Sequence, residues 1–180
     1  MRVLLDACVL FPTVMREVLL GVAAEGLFEP RWSARILEEW ARATVKLGPG
    51  AETIARGEIA TLRLRFPRAE VPEAPGVEQR LWLSDPNDIH VLASAIAGHC
   101  DAIMTSNASD FPKHILAEEG LDRLDPDGFL LVLFAQNPQA VTRAAHAVLA
   151  EAQRLSAEPW DMRSLLKKAR LPRLAKALTR

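Results

Sequence analysis

The chain has 180 residues, 49% of them apolar and 25% charged, which fits one globular domain with room for a small appendage. Its two cysteines, Cys8 and Cys100, exclude a disulfide framework and lack zinc-ligand spacing. No apolar run reaches the roughly 18 residues that a membrane-spanning helix needs, and the apolar start is too short for a signal peptide. We therefore expect a cytoplasmic protein without a membrane partner.

The net charge of −1 hides a strong segregation of charge along the chain. Residues 69–129 carry twelve acidic and three basic side chains, whereas residues 31–68 and 160–180 are basic. Such a pattern suits a cation site that handles a polyanion, but solvated faces of ordinary helices would produce it as well. Charge alone leaves both interpretations open.

The first predicted element is a strand that ends on an acid. Residues 3–5 form a short apolar run that stops abruptly at Asp6, which predicts a buried parallel strand. Asp6 then lies at the carboxyl end of that strand, where open α/β sheets bind ligands. A carboxylate in this place is costly without a ligand or a hydrogen-bond network, so Asp6 is a candidate functional residue.

Helices and strands alternate through the rest of the chain. In order, the patterns predict a helix at 12–26, a strand at 27–30, helices at 34–47 and 51–66, a proline-rich loop at 67–76, a helix at 86–98, a strand at 102–105, helices at 113–119, 129–135 and 138–155, and helical pieces over 161–179 broken at Pro172. Ser33 and Asp85 are predicted N-caps, residues 125–128 a turn, and Pro30 should make its strand short or an edge. The alternation predicts an α/β fold around a mostly parallel sheet.

Four acids on separate predicted elements are candidates for one site: Asp6, Glu39, Asp88 and Asp110. Carboxylates brought together would repel one another and protonate unless a cation compensates them. An all-oxygen ligand set selects hard ions, so the expected cofactor is Mg²⁺ or Mn²⁺. Phosphodiester hydrolysis is typical of such sites. Taken singly, Asp88 also suits a helix start, Glu39 a solvated helix face and Asp110 a turn.

Other chemistries find less support in the sequence. No glycine-rich phosphate loop is present, so no nucleotide cofactor is expected, and the four histidines lack metal-ligand spacing. Cys8 is interpreted as a small buried hydrophobe, since no nucleophile signature accompanies it. Phosphatases that have an Asp at the end of their first strand require a second Asp at the position that Cys8 occupies, which counts against this class. The four tryptophans are interpreted as core or interface anchors.

Four segments resemble the PIN-domain ribonucleases, most closely the VapC-like toxins of bacterial toxin–antitoxin pairs. They are residues 3–10 (VLLDACVL), 33–40 (SARILEEW), 85–95 (DPNDIHVLASA) and 102–112 (AIMTSNASDFP). The last two are specific, and the likeness covers about residues 1–135. The family usually has Asn where this chain has Cys8.

The resemblance implies a PIN-like three-layer α/β/α fold over residues 1–135 and a C-terminal helical extension over 136–180 that packs on or next to it. It also implies an acidic site in which Asp6 and Asp88 bind the metal and Asp110 completes its shell. Asn107 becomes a neighbouring polar contact, and whether Asn107 or Asp110 is the fourth metal-site residue stays open. Glu39 would orient or deprotonate the attacking water.

These inferences lead to the hypothesis of a Mg²⁺- or Mn²⁺-dependent endoribonuclease. The candidate RNA-binding residues are Arg35, Arg42, Lys46, Lys167, Lys168 and Arg170. By resemblance, the expected partners are RNA, an antitoxin that blocks the site and a second copy of the chain in a homodimer. Two other hypotheses remain: a PIN fold that binds RNA or protein without cleaving RNA, and a metal-dependent phosphatase that acts on small phosphate esters.

Overall fold

A five-stranded parallel sheet forms the centre of the fold in the computed structural model, which describes residues 1–179. In the order in which they pair, the strands are β3 (Glu70–Val71), β2 (Glu29–Ser33), β1 (Arg2–Leu5), β4 (Ala102–Met104) and β5 (Asp122–Leu124). The β1 residues from Val3 to Leu5 are fully buried, as expected for a strand covered on both faces. The predicted PIN-like α/β class with C-terminal helices is confirmed.

Helices make up most of the remaining described residues. They are α1 (Ala7–Leu10), α2 (Thr13–Ala24), α3 (Ala34–Ala43), α4 (Ala51–Arg65), α5 (Pro75–Glu78), α6 (Ile89–Ala97), α7 (Lys113–Glu118), α8 (Pro126–Gln136), α9 (Pro138–Leu155), α10 (Met162–Lys168) and α11 (Pro172–Leu178), with 3₁₀ turns at Thr44–Leu47 and Pro86–Asp88. Within residues 1–179, none of these helices combines the length and apolar character needed to cross a membrane.

The chain forms two compact units that interleave along the sequence. The first contains residues 1–11 and 29–123, and the second contains residues 12–28 together with the chain from Leu124 onward. In the second unit, α2 packs against α9 so closely that a Cβ on Gly21 would lie 3.0 Å from the Cβ of Ala144. The division of domains after residue 135 does not coincide with these units and stays a prediction.

Strand β2 differs from its prediction in both extent and position. It was expected at 27–30, short or at an edge, but it spans Glu29–Ser33 and lies between β1 and β3. Pro30 is tolerated because its missing N–H would point towards β3, and pairing with β3 begins only at Trp32. Two residues beyond the proline, the Trp32 N–H donates to the Ala69 carbonyl at 3.1 Å.

Capping residues determine where several helices begin. The Ser33 hydroxyl accepts a hydrogen bond from the Ile36 N–H at 3.2 Å, which confirms it as the N-cap of α3. The predicted turn at 125–128 is wrong, because α8 already begins at Pro126. The Asp125 carboxylate accepts from the Gly128 N–H at 2.8 Å and so caps this earlier start.

Asp127 joins two helices of the second unit, and its loss should destabilise the protein. Its buried carboxylate accepts the N–H groups of Arg173 and Leu174, at 2.9 and 3.0 Å, in the first turn of α11. We predict that Asp127→Ala lowers the free energy of unfolding by about 2 kcal/mol, because the buried Leu174 N–H and the part-buried Arg173 N–H lose their acceptor. Urea titration measures this change. The exposed Asp122→Ala is the control and should cost less than about 0.5 kcal/mol; equal losses in both variants would contradict the prediction.

Candidate active site

Asp6 lies where β1 and β4 end side by side. Leu5 pairs with Met104 in the parallel register, and the Asp6 N–H donates to the Met104 carbonyl at 3.1 Å. This register places Thr105 beside Asp6, and its hydroxyl donates to Asp6 Oδ2 at 2.7 Å. The sequence analysis missed Thr105, although the pairing of the two strand ends was the signal that could have found it.

Cys8 supports the same carboxylate oxygen. Its Sγ donates to Asp6 Oδ2 at 2.9 Å, so interpreting this residue as a simple hydrophobe was wrong. Burial, together with the charge of Asp6, raises the pKa of the Cys8 thiol to about 12, which keeps it protonated as a donor. Both donors act on Oδ2, and no described residue donates a hydrogen bond to Oδ1. Asp6 therefore keeps one oxygen available.

Asp88 occupies the start of α6 without capping it. The capping in this segment belongs to Asp85, whose carboxylate accepts from the Asn87 N–H at 2.9 Å. The Asp88 side chain makes no cap hydrogen bond in α6. A structural role as a helix cap therefore does not account for Asp88.

The charge around Asp88 shows that the predicted acids converge. Burial, and after it the charges of nearby carboxylates, together raise the pKa of the Asp88 carboxyl to about 6. In decreasing order of effect, these carboxylates belong to Asp6, Asp110, Asp85 and Glu39. Asp6, Asp110 and Glu39 thus each lie within electrostatic reach of Asp88, and Asp85 adds a further acid that was predicted only as a cap.

Asn107 and Asp110 form a small polar cluster after β4. The Asn107 side-chain amide donates to Asp110 Oδ2, and the Ser109 hydroxyl donates to Asp110 Oδ1 at 3.2 Å. The Asn107 N–H donates in turn to the Thr105 hydroxyl at 2.9 Å. Asn107 is thus a neighbour of Asp110 that orients its carboxylate, and its part in binding a cation stays a prediction.

Arg35 and His90 lie next to the Glu39 carboxylate. Arg35 Nε lies 3.7 Å from Glu39 Oε1, and His90 Nε2 lies 2.8 Å from the same oxygen. The His90 ring is 3% exposed, and within residues 1–179 neither ring nitrogen has a hydrogen-bond partner of good geometry. Arg35 therefore holds Glu39 through its charge, and the buried His90 ring packs against the same oxygen.

The predicted RNA-binding residues occupy varied surroundings. Arg35 lies between Glu39 and Glu78, and Arg42 forms an ion pair with Glu38 at 2.8 Å. Two lysines lie over aromatic rings: Lys46 at 4.8 Å from the Phe11 ring centroid, and Lys168 at 4.6 Å from that of Trp160. Lys167 lies in the last turn of α10, and Arg170, just beyond the end of this helix, has a left-handed φ of 62°. Contact of these six residues with RNA stays a prediction.

The donor set fits a hard divalent cation in its chemistry. Asp6, Asp88 and Asp110 supply carboxylate oxygens, Asp6 keeps Oδ1 free of hydrogen bonds, and the mutual repulsion at Asp88 is uncompensated. Among residues 1–179, however, no three acidic, histidine or cysteine side chains lie close enough to ligate one ion together. A bound cation would have to draw the carboxylates inward or reach them through water, as Mg²⁺ commonly does.

The repulsion at Asp88 predicts a pH-dependent gain in stability when its charge is removed. Because the folded-state pKa is raised from 3.8 to about 6, the unfolded chain releases the proton first and the wild type loses stability as pH rises through this window. We expect Asp88→Asn in EDTA to raise Tm by about 2–4 °C above pH 6, a gain limited by solvent screening.

Below about pH 4 the difference in Tm between Asp88→Asn and wild type should vanish, because both side chains are then neutral. Thermal unfolding followed by circular dichroism between pH 3.5 and 8 measures it. The exposed Asp122→Asn, at the opposite end of the sheet, serves as the control and should show no such dependence. A constant difference across the whole pH range would contradict the electrostatic explanation.

The family profile of the PIN domain matches residues 2–109, which is more than half of the chain. This match contains Asp6, Glu39 and Asp88 and ends one residue before Asp110. No curated protein and no solved structure shows significant similarity to the chain. PIN domains are in general nucleases that use divalent metal ions. The chain belongs to the PIN-domain family.

Proposed function

We propose that this protein is a Mg²⁺- or Mn²⁺-dependent endoribonuclease that hydrolyses phosphodiester bonds in RNA. The observation that carries the proposal is the repulsion from Asp6, Asp110 and Glu39 that helps to raise the pKa of Asp88 to about 6. Such concentrated negative charge attracts a divalent cation, and a cation beside carboxylates is suited to a phosphate substrate. Membership of a family of nucleases supports the same reaction class.

Three carboxylates would hold the cation in this proposal: Asp6, Asp88 and Asp110. When bound, the ion supplies positive charge that neutralises the carboxylates and the phosphate, and it lowers the pKa of water. Thr105 and Cys8 fix the rotation of the Asp6 carboxylate by donating to Oδ2, so that Oδ1 can face the ion. Asn107 orients Asp110 by donating to its Oδ2, while the Ser109 hydroxyl donates to its Oδ1.

Glu39 is the proposed proton acceptor. Its carboxylate takes a proton from the attacking water, whose oxygen forms a bond to phosphorus as the bond to the leaving ribose oxygen breaks. Arg35 and His90 restrict the carboxylate of Glu39 in this role. The remaining cations proposed to contact RNA phosphates are Arg42, Lys46, Lys167, Lys168 and Arg170.

Cleavage of RNA with and without metal tests this proposal. Purified protein is incubated with a panel of structured and single-stranded RNAs in Mg²⁺, in Mn²⁺ and in EDTA. We expect discrete cuts that depend on the metal and fall by at least about 100-fold in Asp6→Asn and Asp88→Asn, because each removes a proposed ligand charge. Gel analysis of labelled RNA measures the rates.

Asp122→Asn is the matched control, since it removes the same charge at an exposed position outside the acidic site. Its cleavage rate should equal that of the wild type. Cuts that persist in EDTA or in Asp6→Asn would contradict the metal assignment. Binding of RNA without any cleavage would favour a non-cleaving module, whereas metal-dependent turnover of a chromogenic phosphate ester instead of RNA would favour a phosphatase.

The proposal extends to a toxin that is paired with an antitoxin and assembles as a homodimer. If so, induced expression of the wild-type chain in bacteria should slow growth, because cleaved RNA limits protein synthesis, and Asp6→Asn should leave growth normal. Culture density after induction measures this effect, and Asp122→Asn should be as toxic as the wild type. Light scattering on the purified protein tests the dimer. Equal growth of all three strains at equal expression would contradict the toxin role.

A further inference from the structure

Trp82 exposes an unusually large apolar surface. Its side chain is 69% exposed, whereas Trp32 and Trp40 lie in the core at 0% and 1%. It is the one strongly exposed large apolar side chain between residues 79 and 88 in the described structure. Fold stability gains nothing from leaving an indole ring in water, so Trp82 is not a core anchor; of its two predicted roles, that of an interface anchor stays a prediction.

The backbone on both sides of Trp82 is anchored. Leu83 is buried at 1% exposure, and the Arg80 guanidinium forms two hydrogen bonds with the Glu119 carboxylate at 2.6 and 2.8 Å. Such a bidentate pair restricts the orientation of the Arg80 side chain more than a single hydrogen bond would. The Trp82 ring is therefore presented to solvent from a fixed segment.

The segment that carries Trp82 begins and ends at the acidic site. Glu78, at its start, is joined to Glu39 through Arg35, whose nitrogens lie 3.8 and 3.7 Å from the two carboxylates. Asp88, at the end of the segment, lies close enough to Glu39 for the charge of Glu39 to raise the pKa of the Asp88 carboxyl. Trp82 follows Glu78 by four residues, so their Cα atoms are at most about 14 Å apart.

We propose that Trp82 is a stacking platform for a base of single-stranded RNA bound at the acidic site. This inference rests on the proposed ribonuclease function and names the form of RNA that the site accepts. Proteins that bind single strands combine cations for the backbone with aromatic rings for the bases. Arg35 supplies a half-exposed cation at the start of the segment and Trp82 supplies the ring.

The isolation of the ring favours a nucleic acid base over a partner protein. A protein interface requires a contiguous apolar patch, whereas the nearest exposed residues along the chain on either side of Trp82 are the polar Arg80 and Ser84. One base has two flat faces and needs only one ring to stack on. A base paired within a duplex has no free face, so the platform selects single strands.

Binding of labelled RNA tests the inference. The probes are a fluorescein-labelled single strand of about 12 nucleotides and the blunt duplex of the same sequence, titrated in EDTA and followed by anisotropy. We expect Trp82→Ala and Trp82→Leu to weaken single-strand binding about 5- to 100-fold, and Trp82→Phe to restore most of it, because only Phe keeps a stacking face. The affinity of these variants for the duplex should equal that of the wild type. In cleavage assays with Mn²⁺, Trp82→Ala should raise KM and leave kcat unchanged.

Two further measurements separate stacking from a general loss of structure or charge. Single-stranded RNA should quench tryptophan fluorescence in the wild type, and this quenching should fall in Trp82→Phe although binding persists. The salt dependence of binding should be the same in wild type and Trp82→Ala, since no phosphate contact is removed. Leu64→Ala, which changes an 84% exposed apolar residue on α4, should bind and cleave like the wild type.

The possible results distinguish this inference from the proposed function. If the wild type cleaves RNA and Trp82→Ala binds single strands equally well, the platform is refuted and the ribonuclease stands. If Trp82→Ala alters the oligomeric state in light scattering while RNA affinity is unchanged, Trp82 belongs to a protein interface. If Trp82→Leu binds as well as Trp82→Phe, stacking is refuted. If the wild type neither binds nor cleaves RNA, both proposals fail.

Discussion

The parallel pairing of β1 with β4 is the constraint on which the candidate site depends. The register of Leu5 with Met104 brings two distant strand ends together, so that Thr105 can donate to Asp6 at 2.7 Å. A buried carboxylate without such donors would be unfavourable at the end of an apolar strand. Cys8 adds a second donor to the same oxygen, which shows how a thiol can serve where the family usually has an amide.

Local signals in the sequence were enough to predict much of the fold. The apolar run before Asp6 and the N-caps at Ser33 and Asp85 each act within a few residues, and the structure confirms them. Strand β5 was missed because Asp122 and Arg123 give it no apolar alternation. The displaced β2 was missed because tolerance of Pro30 depends on where the neighbouring strand begins, which is a property of the sheet and not of the segment.

The acids of the candidate site were predictable from the sequence, but most of the neighbouring groups that orient these acids or shift their pKa were not. Chemical type and position on the predicted elements identified Asp6, Glu39, Asp88 and Asp110, and the resemblance favoured Glu39 over its neighbour Glu38. The role of Thr105 comes from a contact with Asp6, 99 residues away, that only the folded chain brings together. Cys8 and Asp85 are close in sequence to the acids they act on, but residue type alone does not show where their side chains point. The packing of His90 against Glu39 is likewise a long-range contact that no spacing in the sequence reveals.

The interleaving of the two units limits how this chain can be shortened or extended in evolution. Helix α2 lies inside the stretch that matches the PIN family, yet it belongs to the same unit as α8–α11 and meets α9 where Gly21 faces Ala144. A chain that stopped at residue 135 would keep α2 but lose the helix it packs against, uncovering apolar surface. Gain or loss of the C-terminal helices would therefore require simultaneous changes in the surface of α2.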